Sequence, residues 1–302
     1  MDCDIKRYLK VGIIHHMAYP EAFSSEKTFE DTFLRVLEDP YFDVVETAST
    51  PWPSMKEKIR SWVDQAHMEV AFGAQGKTLS KNLNLNDLDP AERKKAVAAV
   101  KEGIDEAAEI GAFGLSFLSG HYEDKTIFQS MEVLIESCQI LCEYAKQYSL
   151  PICLEAFDYS IDKKALIGPS LRAKALFDTV CLQYPSFGLL VDCSHIPMIG
   201  ENLDDNLDPV VRYVRHAHMG NTYIKDPSNP AYGDNHPRFG FPQSENDADY
   251  LASYLKKLIA IGYLQKDKPM TVSFEVKPQK GELSSLVIAN AKRTLADAWR
   301  KV

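Results

Sequence analysis

Four residues that can bind a divalent metal ion each lie at the end of a short apolar segment. They are Glu155 in PICLEAFD, Asp192 in GLLVDCSH, His218 in VRHAHMGN and Glu275 in TVSFEVKP, at spacings of 37, 26 and 57 residues. Three carboxylates and one imidazole suit Mn²⁺, Mg²⁺, Co²⁺ or Zn²⁺, and Mn²⁺ is favoured. No cysteine belongs to the set, which argues against a structural zinc site. We therefore expect these residues to hold a catalytic divalent metal ion.

Short strand-like segments alternate with longer helical ones along the chain. The strand-like segments cover 11–16, 42–47, 67–73, 113–118, 150–156, 187–193, 214–220 and 270–276. Parallel strands need helical crossovers, so eight such units predict a (βα)8 TIM barrel, formed by residues 1–302 as one domain. The alternative is an open doubly wound sheet. No GxGxxG motif follows the first strand, and exactly eight units favour closure.

A barrel of parallel strands brings all strand C-termini to one mouth, which is where barrel enzymes place their reactive groups. Side chains alternate along a strand, so His216 is expected one layer below His218, and Lys277 above Glu275 nearer to solvent. Asp192 is followed three residues later by His195, which can reach over the metal. The mouth is therefore the predicted site, with these neighbours as candidate substrate contacts.

The positions of the histidines support one reactive face. Seven of the eight fall at a predicted strand end or in the following loop: His15, His16, His121, His195, His216, His218 and His236. His121 is included among the candidate substrate-binding residues. His15 and His16 are equally compatible with a structural and a functional role, whereas His67 begins a strand and is interpreted as structural.

A long loop at 221–243 follows the His218 strand and is rich in Pro, Gly, Asn and Asp. Long loops without regular structure are commonly functional lids, so this loop is expected to fold over the mouth. Arg238 lies within it and is a candidate substrate-binding residue. Arg238 and Lys277 could also offset part of the negative charge if the four residues formed interior ion pairs without a metal.

Glu155 and Glu275 come from different strands and should approach a substrate from different sides. Two such carboxylates can remove a proton from one face of a carbon and return one to the other face. The predicted reaction is therefore proton abstraction next to a metal-bound carbonyl, with Glu155 and Glu275 as catalytic residues.

At these residues the chain resembles the xylose isomerase-like TIM-barrel superfamily of sugar phosphate isomerases and epimerases, nearest to the D-tagatose and D-psicose 3-epimerase pattern. The resemblance implies Glu155, Asp192, His218 and Glu275 as ligands and the two glutamates as the acid/base pair. It also implies His195 of the Asp-x-x-His motif as a substrate contact. The epimerases carry an arginine shortly after the histidine ligand, where this chain reads MGNTYI; Arg238 is the substitute.

The loop sequence DPAYGDNHPRFG and the closing EVKPQKGE resemble the large subunits of bacterial C-glycoside deglycosidases. This resemblance implies, as an alternative, a lyase of the C-glycoside deglycosidase or dehydratase type acting on 3-keto glycosides or keto-polyols at the same site. Two further alternatives are an endonuclease-IV-like phosphodiesterase and a non-catalytic subunit. The first requires more histidine ligands for three metals and a basic groove.

Composition narrows the partners. Hydrophobic residues make up 45% of the 302 residues and charged residues 25%, which is ordinary for a globular protein. The net charge of −9 and the absence of a basic run argue against nucleic-acid binding. No apolar run reaches membrane-spanning length, no signal peptide is evident, and six scattered cysteines lack a CxxC pair. We expect a cytoplasmic protein with a small carbohydrate substrate, no membrane partner, and a possible homo-oligomer or hetero-subunit partner.

Overall fold

Eight parallel strands form a closed barrel in which each strand pairs with the next along the chain and the last pairs with the first. The computed structural model describes residues 4–302. The strands are β1 (Leu9–Ile14), β2 (Val44–Ala48), β3 (Glu69–Gly73), β4 (Leu115–Leu118), β5 (Ile152–Glu155), β6 (Gly188–Asp192), β7 (Val214–Gly220) and β8 (Met270–Glu275). The predicted (βα)8 barrel is confirmed.

Helices connect successive strands on the outside of the barrel. They are α1 (His15–Ala18), α2 (Glu26–Leu37), α3 (Met55–Gln65), α4 (Gln75–Leu79), α5 (Pro90–Glu109), α6 (Ile127–Ala145), α7 (Ser170–Val180), α8 (His195–Ile199), α9 (Leu203–Leu207), α10 (Ala248–Ala260) and α11 (Ser284–Trp299). Within the described residues none of these combines the length and apolar character that a membrane crossing requires.

The start of α5 shows how local sequence sets these boundaries. Pro90 occupies the first helical position, where a missing N–H costs nothing, and the side chain of Asp89 accepts a hydrogen bond from the Ala91 amide at 2.8 Å. Val100 and Ile104 lie one turn apart and are fully buried. The helix therefore begins at its cap and is held on the barrel by its apolar face.

The hydrophobic core lies between the strands and the surrounding helices. Phe117, Leu154 and Phe274 are fully buried there. The inner face of the barrel carries smaller and polar side chains instead: a methyl group added to Gly12 would lie 2.1 Å from the Ser273 hydroxyl oxygen. Around Gly12 and Ser273 the barrel interior therefore has room only for small side chains.

Candidate metal centre

The four residues predicted as metal ligands converge at the barrel mouth. Asp192 and His218 are register partners on β6 and β7, and Glu275 on β8 pairs with Gly220. One ligand atom from each of Glu155, Asp192, His218 and Glu275 lies within 4.8 Å of the others. Their side chains are 2, 0, 2 and 13% exposed, in that order. The structure thus brings together residues from four strands that are far apart in sequence.

The contacts inside this group leave two carboxylate oxygens unsatisfied. Nδ1 of His218 lies 2.9 Å from Oε2 of Glu275 and 3.8 Å from Oε1 of Glu155. Asp192 Oδ1 accepts a hydrogen bond from the Ser194 amide at 2.7 Å. Glu155 Oε1 and Asp192 Oδ2 are buried and have no hydrogen-bond partner among the described residues. Buried carboxylate oxygens without partners are costly, so the donor set and the two orphaned oxygens fit a divalent cation.

The two glutamates of the group have opposite electrostatic environments. Burial, followed by the charge of Glu275, raises the pKa of Glu155 to about 8. Burial also acts to raise the pKa of Glu275, but His236 and His218 outweigh it and bring that pKa down to about 2. Burial raises the pKa of Asp192 as well. Two carboxyl groups in one site with pKa values pushed apart are the arrangement that acid–base chemistry uses.

Two residues outside the predicted set contact these ligands. Gln75 at the start of α4 donates a hydrogen bond to Glu155 Oε2 at 2.6 Å. Glu46 on β2 lies 3.2 Å from Nε2 of His218 and 2.7 Å from Nε2 of His216. Sequence reasoning missed both. For Glu46 the available signal was an acidic residue inside the apolar segment FDVVET; Gln75 gave no such signal.

A second group of potential ligands adjoins the first and shares Asp192. The group consists of Asp192, His195 and His236, whose ligand atoms also lie within 4.8 Å of one another. Asp234 Oδ1 is 2.9 Å from His195 Nε2 and 2.7 Å from His236 Nε2, while Lys163 Nζ lies 2.8 Å from the other oxygen of Asp234. The lysine partly balances the carboxylate that holds the two histidines.

These histidines are strongly influenced by the carboxylates around them. Burial acts to lower the pKa of His195, but Asp192 and Asp234 raise it to about 10. Burial likewise opposes the charged form of His236, but Glu275 and Asp234 raise its pKa to about 9. Asp234 was not singled out from the sequence, and His236 was noted only for its position. The Asp-x-His spacing at 234–236 in the long loop is the signal that could have found the pair.

The mouth contains a cavity of about 570 Å³ next to the four candidate ligands, here called the metal group. This volume is within the usual range for small-molecule sites. Glu155, His218 and Glu275 line the cavity. Lys163 and Lys277 also line it, so the cavity presents cationic side chains as well as carboxylates. A polar small molecule could therefore be held by both kinds of group.

The sequence profile of the xylose isomerase-like TIM barrel family matches residues 34–287. The chain belongs to this family. No curated protein sequence matches this chain.

Solved structures of this family's fold superpose on the chain at low sequence identity. A D-tagatose 3-epimerase-like protein is 16% identical, with a TM-score of 0.72 over 97% of this chain and 99% of that one. The IOLI protein, solved with a zinc atom, is 16% identical, with a TM-score of 0.73 over 97% and 99%. The 3-keto-D-glucoside 4-epimerase YcjR from E. coli is 14% identical, with a TM-score of 0.68 over 95% and 98%. At these identities the likeness establishes the fold.

The five residues predicted to contact substrate lie in different places within the family fold. Lys277 lines the mouth cavity, and His195 lies beside the metal group without lining the cavity. Arg238 donates from Nε to Glu282 at 2.8 Å and does not line the cavity. His216 lies below the metal group against Glu46. His121 is exposed and lies outside both groups, and its substrate contact, like the others, stays a prediction.

The structure separates the two neighbouring histidines that the sequence left open. His16 lines the mouth cavity. His15 is fully buried and turns away, with Nε2 at 2.9 Å from the hydroxyl oxygen of Thr32. His15 is therefore part of the packing beneath α2, and His16 is a further candidate for substrate contact.

The long loop after β7 lies beside the mouth. Within it, Tyr223 forms isolated bridges with Tyr232 and Gly233, and the Lys277 amide donates to the carbonyl oxygen of His236 at 2.7 Å. Two side chains of the loop lie at the site: Asp234 lines the mouth cavity, and His236 belongs to the second group of potential ligands, with Asp192 and His195. Its contribution to the site thus comes from these two side chains.

Proposed function

We propose that this protein is a divalent-metal-dependent isomerase or epimerase of a sugar or related keto-polyol. The metal ligands would be Glu155, Asp192, His218 and Glu275, with Mn²⁺ favoured and Mg²⁺, Co²⁺ or Zn²⁺ as alternatives. The names of the structural neighbours, among them an L-ribulose 3-epimerase and a D-psicose 3-epimerase, support a small carbohydrate as the substrate.

The observation that carries this proposal is the placement of Glu155 and Glu275. They come from β5 and β8, line the same cavity and approach the same nitrogen of His218. A substrate in the cavity would meet carboxylates from two directions, as proton removal from one face of a carbon and return to the other require. Asp192 and His218 serve as ligands without a proton-transfer role in this scheme.

A divalent ion in this site would stabilise the negative charge that develops on substrate oxygens when the proton leaves. The chain supplies the rest of the chemistry. Gln75 orients Glu155 through its hydrogen bond to Oε2. The other oxygen, Oε1, is left without a hydrogen-bond partner and lies on the side of His218. Lys163 and Lys277 line the cavity and would hold substrate hydroxyl or carbonyl oxygens.

The test is solvent-proton exchange. The protein is loaded with Mn²⁺ and incubated in D₂O with a panel of ketohexoses and ketopentoses, and products are followed by NMR after removal of the metal. We expect deuterium at the carbon next to the carbonyl, together with the epimeric sugar. Glu155→Gln and Glu275→Gln should each slow exchange by about 10²-fold or more.

The matched control is Glu69→Gln. Glu69 is also a barrel glutamate, but it begins β3 at the opposite end and pairs with Lys10 at 2.6 Å. This variant should exchange at the wild-type rate. Full exchange in both active-site variants would contradict the proposed roles.

A lyase acting on 3-keto glycosides is the second candidate. YcjR, whose fold superposes on this chain, acts by its name on a 3-keto-D-glucoside, and elimination from such a substrate begins with the same proton abstraction. A 3-keto glycoside with a chromogenic aglycone separates the two reactions. Release of free aglycone would favour the lyase, whereas an epimerised but intact glycoside would favour the epimerase.

A further inference from the structure

Glu46 is a buried carboxylate that lies directly beneath the candidate metal centre. It is 3% exposed, sits on β2 and belongs to a strand that contributes none of the four proposed ligands. Its two oxygens lie against two imidazoles: Oε1 is 2.7 Å from Nε2 of His216 and Oε2 is 3.2 Å from Nε2 of His218. One carboxylate therefore bridges the two histidines of β7.

This bridge determines which nitrogen of His218 can bind a cation. An ionised carboxylate only accepts hydrogen bonds, so the Nε2 atom of each histidine must carry the proton that it donates to Glu46. In a neutral imidazole with a proton on Nε2, the lone pair is on Nδ1. The Nδ1 atom of His218 is the one that faces Glu275 and Glu155, at 2.9 and 3.8 Å. The lone pair is thus directed at the centre of the ligand group.

Glu46 lies between two cavities of the barrel interior and is in contact with His218. Below the metal group lies a second cavity of about 320 Å³, here called the floor cavity, bounded by Glu46, Ser116, Cys153 and His216 among others. Glu46 lines both the floor cavity and the mouth cavity. Among the described residues it is the only hydrogen-bond partner of His218 Nε2. No other side chain within residues 4–302 holds this face of the ring in the same way.

We propose that Glu46 is the positioning residue of the metal centre, because it fixes His218 as the tautomer that binds through Nδ1, and that His216 holds Glu46 in place. This inference rests on the proposed metal function of the four ligands. Partners of this kind on a metal-bound histidine typically account for about 10- to 100-fold in metal affinity.

Glu46→Gln tests the proposal with almost no change in shape. The two imidazoles face different oxygens of Glu46, and the amide replaces one of these acceptors with an NH₂ donor, so one imidazole loses its acceptor. We expect the Mn²⁺ dissociation constant, measured by calorimetry on metal-free protein, to rise about 10- to 100-fold. Glu46→Asp keeps the charge and should lose less. Glu69→Gln is the matched control and should bind like the wild type.

The outcomes separate this inference from the proposed function. If the wild type and Glu46→Gln bind Mn²⁺ equally, Glu46 is not a positioning residue, although the metal centre stands. If the wild type binds no metal, or if Asp192→Asn binds it as tightly as the wild type, both proposals fail. Circular dichroism of each metal-free variant verifies that it is folded.

A second measurement needs no Glu46 variant. Protein with ¹⁵N-labelled histidine is loaded with diamagnetic Zn²⁺, and long-range ¹H–¹⁵N spectra identify the protonated ring nitrogens; a His218→Gln variant assigns the His218 signals. A proton on Nε2 and zinc on Nδ1 would support the proposal. Zinc on Nε2 would overturn it even if Glu46→Gln fails to fold.

Discussion

Mild acid should destabilise this protein through His15, which is buried in an apolar environment. The ring is fully buried, and its centroid lies 4.9 Å from that of Phe29 and 5.2 Å from that of Phe33. Nε2 lies 2.9 Å from the Thr32 hydroxyl oxygen, while Nδ1 has no partner among the described residues. Burial, and to a smaller extent neighbouring His16, lower the pKa of His15 to about 3.

The sign and size of the effect follow from this pKa. In the unfolded chain a histidine titrates near pH 6.5, so between about pH 6.5 and about pH 3 the unfolded state binds a proton that the folded state does not. The free energy of unfolding therefore falls as the pH falls through this window, by about 1.4 kcal/mol per pH unit. Going from about pH 6.5 to about pH 5 should cost about 2 kcal/mol from His15 alone.

His15→Phe removes the titrating group and keeps an aromatic ring in the same place. In this variant the Thr32 hydroxyl keeps a hydrogen-bond partner, because it donates to the carbonyl oxygen of Thr28 at 2.7 Å. Urea unfolding at about pH 7 and about pH 5 should show that the wild type loses about 2 kcal/mol more than the variant. The exposed His121→Gln is the control and should behave like the wild type. An equal loss in His15→Phe and wild type would refute the reasoning.

Three further predictions concern the site and the backbone around it. Gln75→Leu removes the N–H donor from Glu155 and should weaken Mn²⁺ binding about 10-fold by calorimetry; unchanged affinity would contradict the contact. Removal of the metal by a chelator should lower the unfolding temperature, because a ligand at 100 times its dissociation constant stabilises the folded state by about 2.7 kcal/mol. Scanning calorimetry with and without chelator measures the change in unfolding temperature. Gly168→Ala would place its methyl group 2.1 Å from the Phe157 carbonyl oxygen and should lower the free energy of unfolding by about 1–3 kcal/mol, as measured with denaturant. The control is Gly76→Ala, whose methyl group meets nothing within 4 Å and should change that free energy little.

Much of the fold could be predicted because its signals are local. Alternation within short segments and an N-cap such as Asp89 before Pro90 depend only on neighbouring residues, and all eight predicted strands are present. Strand ends then converge by the geometry of any closed parallel barrel. The grouping of Asp192 with His218 therefore followed from the positions of the strands, without knowledge of the packing.

The parts of the site that were missed depend on contacts between distant segments. Glu46 reaches His218 across 172 positions of sequence, and Gln75 reaches Glu155 across 80. Nothing near either residue marks its partner, because the partner is set by which strands and loops face each other across the barrel. Arg238 depends on such contacts too: its side chain pairs with Glu282, and its predicted substrate contact stays a prediction.

The sequence by itself determined which groups meet at the mouth: three carboxylates and an imidazole, each at a strand end, a donor set that fits an oxygen-rich cation site. The tertiary structure decided how those groups are held and protonated. Barrel closure places Glu46 behind His218 and Gln75 behind Glu155, and the course of the 221–243 loop adds Asp234 and His236. Burial and neighbouring charge then separate the pKa values of Glu155 and Glu275, and both effects exist only when the chain is folded.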